Sequence, residues 1–312
     1  MHRPAIDPAA TMALVVAVLA VSTSGPLIAF AAAAPALAIA FWRNALAVGV
    51  LGPISLIARR REYANLARRE AVFCVLAGVA LAAHFAAWMP SIRFTTVAAS
   101  TALVATQPVW QGLISVAQGR KLRTVTWAGI GVAVLGAVLA TGADFGVSTR
   151  AVMGDLLAVV GAIMAAAYTA LGERARVTLS TTTYTTICYG VCAVLLLVIC
   201  LASGQRLGGY PGTTWLAILG LVAGAQLLGH TMFNYALRRV SATTISVLIL
   251  LEVPGAGLIA WLWLGQVPPA ASLPGLALLL VGVLIVVLGG AQAGRRERAA
   301  RRLEVETAGT IP

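Results

Sequence analysis

Charge is what this chain of 312 residues has least of. Asp, Glu, Lys and Arg together make up 10% of it, against about a quarter in soluble domains. Lysine is nearly absent, Lys121 being the single example, so arginine supplies the rest of the basic side chains. Cysteine is scarce too: Cys74, Cys188, Cys192 and Cys200 lie in apolar stretches and form no CxxC pair, which argues against a disulfide framework, a zinc site or a redox couple. There is no Walker A lysine loop, no HExxH, no GxSxG and no pair of aspartates within an apolar run. Those absences remove nucleotide-driven transport by this chain alone and the common hydrolase chemistries; no catalytic residue, metal or cofactor is expected.

Apolar residues are abundant, at 60% of the chain, and they come in runs. Ten segments stand out, at about Met12–Ala34, Ala36–Ala58, Ala71–Pro90, Thr95–Gln118, Val125–Gly142, Val152–Leu171, Tyr184–Ser203, Trp215–Leu237, Ala242–Leu264 and Ser272–Ala291. Each is near the ~20 residues that carry a helix across ~30 Å of hydrocarbon. The first follows Arg3 and is long for a signal-peptide core, so it reads as a membrane helix that is retained. The expectation is an all-α integral membrane protein of ten transmembrane helices, with residues 294–312 as an Arg- and Glu-rich cytoplasmic tail, solvated and partly disordered.

The net charge of +12 would suggest nucleic acid in a soluble protein, but here it follows the loops. With the N-terminus inside, eighteen basic residues fall in cytoplasmic segments and three, Arg93, Arg150 and Arg206, fall outside. That asymmetry predicts cytoplasmic termini in a cell membrane, with lipid rather than nucleic acid as the surroundings.

A repeat organises the chain. His84 and His230 lie 146 residues apart, as do Pro108 and Pro254. Identities at that offset are few, but two of only three histidines pair. Five helices per repeat is an odd number, so the halves, residues 1–148 and 149–293, insert in opposite orientations. Inverted repeats build many secondary transporters, whose substrate sites lie near the midplane between the halves.

Polar residues inside the apolar runs are the candidate site, because such groups are costly in hydrocarbon. Helix eight carries Gln226, His230 and Asn234 at i, i+4 and i+8, one stripe on an ideal α-helix. Helix three carries His84 and Trp88; helix four carries Ser100, Gln107 and Gln111. The alternative for these groups is interhelical hydrogen bonding with no ligand role. Pro108 and Pro254 sit in mid-segment, where each frees a carbonyl four residues back and offers a hinge. Arg43 and Glu252 are the two charges within spans; they must pair, face water, or, for Arg43, snorkel to the membrane surface. Trp42, Trp88, Trp110, Tyr168 and Tyr235 are aromatic side chains available to stack on a solute. Gly129 and Gly136 on helix five, and Gly275, Gly282 and Gly289 on helix ten, predict a close-packed seam, either within the protomer or across a homodimer.

These residues resemble the EamA family of the drug/metabolite transporter superfamily over about Met12 to Gly290. The stretches that carry the resemblance are Phe41–Asn44 (FWRN), His84–Trp88 (HFAAW), Thr106–Pro108 (TQP), Gly154–Ala158 (GDLLA), Gly229–Ala242 and Leu250–Ala256 (LLEVPGA). The resemblance implies secondary transport of small metabolites, often export of amino acids or their relatives, through a cavity lined mainly by helices three, four, eight and nine. Two departures stand out. The family commonly has glutamate directly before the helix-nine proline, whereas Val253 separates Glu252 from Pro254, and one residue turns a helical side chain by ~100°. Helix nine also ends in Gly265-Gln266 where Gly-Glu is common.

The expected function is therefore export of a small polar metabolite by alternating access, with protons as a coupling partner through the two histidines, whose ordinary pKa is ~6.5. Competing readings are an intramembrane enzyme with His84 or His230 as general base, and a structural or signalling protein with a dry core.

Overall fold

The computed structural model describes residues 7–91, 94–95, 97–141, 148–265 and 270–289. Among these residues all regular structure is helical, as burial in lipid demands of a chain whose backbone bonds must close internally. Eight helices among the described residues are long and apolar enough to cross a membrane, and Thr124–Ala140 is a shorter apolar one. The remaining apolar segment is split into two pieces, each short. The chain is thus a multi-pass helical membrane protein. Several charges of the loop count (Arg3, Arg93 and the tail arginines) and Gln266 lie outside the described residues.

In chain order the helices are α1 (Pro8–Val21), α2 (Ser24–Phe30), α3 (Ala36–Ala58), α4 (Arg60–Ala64), α5 (Arg68–Ser91), α6 (Val97–Val104) and α7 (Gln107–Ala117). Then come α8 (Thr124–Thr141), α9 (Thr149–Ala175), α10 (Thr181–Ala202), α11 (Gly212–Leu221), a π-turn segment (Val222–His230) and α12 (Thr231–Ala236). The last are α13 (Ala242–Ile249), α14 (Glu252–Leu264) and α15, residues 273–289. Side-chain caps set several starts. Asp7 accepts from the Ala9 and Ala10 amides at α1, Ser148 from Ala151 at α9, Ser180 from Thr183 at α10 and Ser241 from Thr244 at α13, each satisfying a backbone donor that the first turn leaves open.

Three spans are interrupted, and each break has a local cause. Between α1 and α2, the Ser22 hydroxyl donates to the Val18 carbonyl and the Thr23 hydroxyl to the Ala20 carbonyl, each at 2.7 Å. Such bonds compete with the helical ladder, and Pro26 removes a further donor. The prolines that the sequence places in mid-helix do not kink a continuous helix. Pro108 is the second residue of α7 and Pro254 the third of α14, positions where proline is tolerated because first-turn amides have no helical partner. The chain stops at Val104 and Ile249 and restarts at Gln107 and Glu252. Tight three-residue bonds, Thr106 N–H to the Leu103 carbonyl at 3.1 Å and Leu251 N–H to Leu248 at 3.0 Å, bridge the gaps. The Leu250 carbonyl, expected to be freed by Pro254, accepts instead from the Val253 amide at 3.1 Å.

Gln107 opens α7 and Glu252 opens α14, each just past its break. Val253 follows Glu252 inside α14, and Glu252 meets the cavity from the first position of that helix.

Packing depends on small residues, since lipid supplies no hydrophobic drive between helices. The seam of α8 on α15 is the closest. A Cβ built on Gly136 would lie 2.2 Å from the Leu279 amide nitrogen, and one on Gly282 2.2 Å from that of Ala133. The glycines of helices five and ten are therefore packed against each other within one protomer, one of the two alternatives for the seam. Elsewhere α5 packs on α9 and α10 and α3 on α10, while α1 lies along the π segment and α12. Three apolar clusters result: one around α3, α5, α10 and α11, one around α8, α13 and α15, and one around α1, α12 and α13.

Gly282→Ala is expected to lower the melting temperature of the detergent-solubilised protein, at a cost of ~1–3 kcal/mol for overpacking against backbone. Gly131→Ala, whose Cβ would meet nothing within 4 Å, is the control and should melt at or above wild type.

Candidate functional site

A cavity of about 320 Å³ opens where the three apolar clusters meet. That is the lower end of the range for small-molecule sites. Its wall is largely apolar, from Val21, Leu81, Phe85, Phe233, Ile249 and neighbouring side chains. Both helix breaks reach it, through Val104, Ala105 and Gln107 on one side and Leu250, Glu252 and Val253 on the other. Broken helices at membrane depth are tolerated where the loosened backbone lines protein or a cavity.

Of the candidate residues, His84, Trp88, Gln107, His230, Asn234, Arg43, Tyr168 and Glu252 line this cavity. His84 and Trp88 stack with ring centres 5.6 Å apart. The His84 Nδ1–H donates to the Gly161 carbonyl at 2.9 Å; a carbonyl can only accept, so in the neutral ring Nε2 is the acceptor nitrogen. His230 contacts Phe85 and Tyr168, at 6.3 and 6.2 Å between ring centres. Asn234 Nδ2 donates to the Tyr168 hydroxyl at 2.7 Å and the Tyr189 hydroxyl at 3.3 Å. Gln107 Nε2 donates to Thr169 Oγ1 at 3.3 Å.

Gln226 and Gln111 are not in the wall. Gln111 is buried on α7 with its Oε1 unpartnered. Gln226 lies behind the wall, because the stripe with His230 and Asn234 assumes an α-helix and the segment from Val222 to His230 is a π-turn. The Thr231 amide bonds the Gln226 carbonyl five residues back, and the Thr231 hydroxyl donates to it at 3.1 Å. A wider turn changes the angular step between residues, and Gln226 faces α3. Ser100 is likewise internal, at 2.6 Å from Ser91 Oγ. Trp42, Trp110 and Tyr235 spend their polar atoms on Leu207, Thr106 and Arg239 and do not line the cavity.

Of the alternatives for the two charges within spans, both take the one that faces the cavity. Arg43 does not snorkel: it is 2% exposed and turned inward. Its Nε–H donates to Gln226 Oε1 at 2.8 Å, its guanidinium lies 4.9 Å over the Phe85 ring, and its Nη2 has no partner. Glu252 faces the same cavity, yet the two charges form no ion pair among the described residues. Ser24, Gly25 and Thr169 also line the cavity; the sequence does not point to them, because small residues in an apolar run carry little signal.

At the Asp7 end of the bundle, polar ties join the first half of the chain to the second. Arg239 pairs with Asp7, and Arg120 with Glu173 at 2.7 Å. Glu173 also accepts from the Ala242 amide at 3.1 Å, at the start of α13. Glu62 accepts from the Ser180 amide and, at 3.0 Å, from the Thr183 hydroxyl. Partial burial pushes the Glu62 carboxyl up, but the bonds from Ser180 and Thr183 outweigh that and hold it below the ordinary carboxylate value. Arg176, which donates to the Asn234 and Leu179 carbonyls, is pulled down to about 10 by burial. Among the described residues no three His, Cys, Asp or Glu side chains are grouped to hold a metal.

The sequence pattern of the EamA-like transporter family matches residues 9–142 and again residues 152–288. The chain belongs to the EamA-like transporter family. It is similar to the "Probable terminal-alkyne amino-acid exporter" of Streptantibioticus cattleyicolor, with 30% identity over 126 residues. That match covers 39% of each protein, so the chain spans about two-fifths of that relative's length. A solved crystal structure of a protein superposes on 95% of this chain and 98% of its own, with a TM-score of 0.77 and 20% identity, a likeness of fold. Family and relative point to a transporter rather than an enzyme.

A depressed Glu62 pKa means that the ionised carboxylate adds stability above its unfolded pKa, and that this is lost as pH falls through the folded value. Glu62→Gln is therefore expected to melt below wild type at neutral pH, with the gap closing below pH ~4. Melting curves of both proteins across pH check this, and a gap independent of pH would contradict it.

Proposed function

We propose that this transporter exports a small zwitterionic metabolite, an amino acid or a related compound, across the cell membrane. The observation that carries the reading is the Arg43 guanidinium, buried, held along one edge by Gln226 and unpartnered at Nη2, in the same cavity as the Glu252 carboxylate. A free guanidinium suits a carboxylate, and Glu252 suits the ammonium of the same molecule. The apolar wall with the His84–Trp88 stack would take its side chain. A volume of about 320 Å³ fits a solute of that size, and the relative named as an amino-acid exporter supports both substrate class and direction.

Alternating access is the mechanism that this architecture supports. Residues 1–148 and 149–293 act as inverted five-helix repeats, and the two broken helices are the flexible points at the cavity. Rocking of the halves must open and close each end in turn, and the Arg239–Asp7, Arg120–Glu173 and Glu62–Ser180 ties join the halves at one end. That end is taken as cytoplasmic from the arginine-rich loops. Exchange for protons would use His84, His230 or Glu252, each of which meets the cavity.

Purified protein in liposomes, offered a panel of the twenty common L-amino acids with and without a pH gradient, tests the reading. At least one is expected to move, and faster with the gradient. Arg43→Lys should raise its KM by about tenfold or more through loss of the planar fork, and Glu252→Gln should abolish stimulation by the gradient. Absence of movement for all of them under either condition would overturn the substrate class.

A further inference from the structure

Gln226 was a candidate ligand by sequence, and the structure takes it out of the cavity without leaving it idle. Its side chain is wholly buried between the π segment and α3. The hydrogen bonds around it run in one direction. The Asn44 amide group donates from Nδ2 to the Ala40 carbonyl at 2.9 Å, which leaves Asn44 Oδ1 as an acceptor. Gln226 Nε2 donates to that oxygen at 3.1 Å. Gln226 Oε1 is then turned to Arg43 and accepts its Nε–H at 2.8 Å. Because Ala40 and Asn44 lie one turn apart on α3, the chain begins and ends on the helix that carries Arg43. Flipping either amide would set donor against donor or acceptor against acceptor.

We propose that Gln226 is a positioning residue, which fixes the rotation of the Arg43 guanidinium so that its unpartnered Nη2 edge, rather than its Nε edge, meets a substrate carboxylate. The inference rests on the carboxylate reading of Arg43 given above. The π-turn is part of the device. The wider turn from Val222 to His230, held by the Thr231 hydroxyl on the Gln226 carbonyl, sends Gln226 toward α3 while His230 and Asn234 stay in the cavity wall. A long side chain with several rotatable bonds would otherwise pay ordering entropy on each binding event. The chain of amides removes that cost beforehand.

Two readouts on the full-length protein test this. The first needs no substrate: with ¹⁵N-labelled arginine, the Arg43 Nε–H signal, assigned by its loss in Arg43→Lys, should exchange slowly with solvent. Gln226→Leu should speed that exchange by about tenfold or more, whereas Gln226→Glu, which keeps an acceptor, should leave it slow. The second compares the L-amino acid moved fastest in the twenty-member panel with the amine formed by removing its carboxyl. Wild type should favour the amino acid. Gln226→Leu should raise its KM by about tenfold with the maximal rate within about twofold of wild type, and leave the KM of the amine unchanged. Gln226→Glu should also raise the amino-acid KM, because its charge competes for Arg43.

Unchanged exchange and unchanged KM in Gln226→Leu would overturn the positioning role. If that variant does not fold, fast Arg43 exchange in Gln226→Glu, or an unaltered amino-acid KM in it, would do the same. Wild type treating amino acid and amine alike, or moving none of the panel, would instead defeat the carboxylate reading, while the exchange measurement would still decide the Gln226–Arg43 bond.

Discussion

One guanidinium, enclosed by apolar helices, sets the terms for the middle of this molecule. A cation at membrane depth costs ~2.5–3.5 kcal/mol even on the lenient scale of translocon insertion, and Arg43 is buried there. Its cost is met on three sides: a hydrogen bond to Gln226, the face of Phe85 and a cavity that also holds Glu252. The fourth side, at Nη2, is unmet. The structure thus gathers polar partners around one group and leaves its Nη2, like Trp88 Nε1 in the same wall, without one, which is the arrangement expected of a site that completes itself with a ligand.

The surrounding helices answer to that requirement. Continuous α-helices would present only side chains to the cavity. Here the breaks at α6–α7 and α13–α14, and the nearby one at α1–α2, bring loosened backbone to its wall, each terminated by locally bonded hydroxyls or by prolines in first-turn positions. The π-turn is a fourth irregularity, and it separates two duties along one helix: Gln226 turned to the arginine, His230 and Asn234 turned to the cavity. Around this irregular centre the packing is regular and close. The α8–α15 glycine seam and the α5–α9 contact at Gly161, whose carbonyl also holds His84, fix the helices that must stay rigid.

A division between centre and ends follows. Near the cavity the two halves meet through small, mostly apolar contacts and a few hydrogen bonds. At the Asp7 end they meet through ion pairs and a carboxylate cap on α10. Charged ties in accessible loops are weak individually and can be exchanged for water, so they suit contacts that open and close. The buried amides around Arg43 cannot be exchanged in that way and suit a part that keeps its geometry.

Much of this was legible in the sequence. Apolar run length determines that the chain crosses a membrane, because the thickness of hydrocarbon sets a length that composition must meet. The rarity of polar residues in those runs marked His84, Trp88, Gln107, His230, Asn234, Tyr168, Arg43 and Glu252, since such groups persist in hydrocarbon only when they are used. What the sequence left open was phase and partnership. Periodicity assumes an unbroken α-helix, so it put Gln226 and Gln111 in the cavity wall, and it left Arg43 between snorkelling and facing inward. Tertiary structure decided each of these. A π-turn and two helix breaks reset the angular register, and whether the glycine faces of α8 and α15 meet each other or another protomer depends on which helices lie side by side, information that no single helix contains.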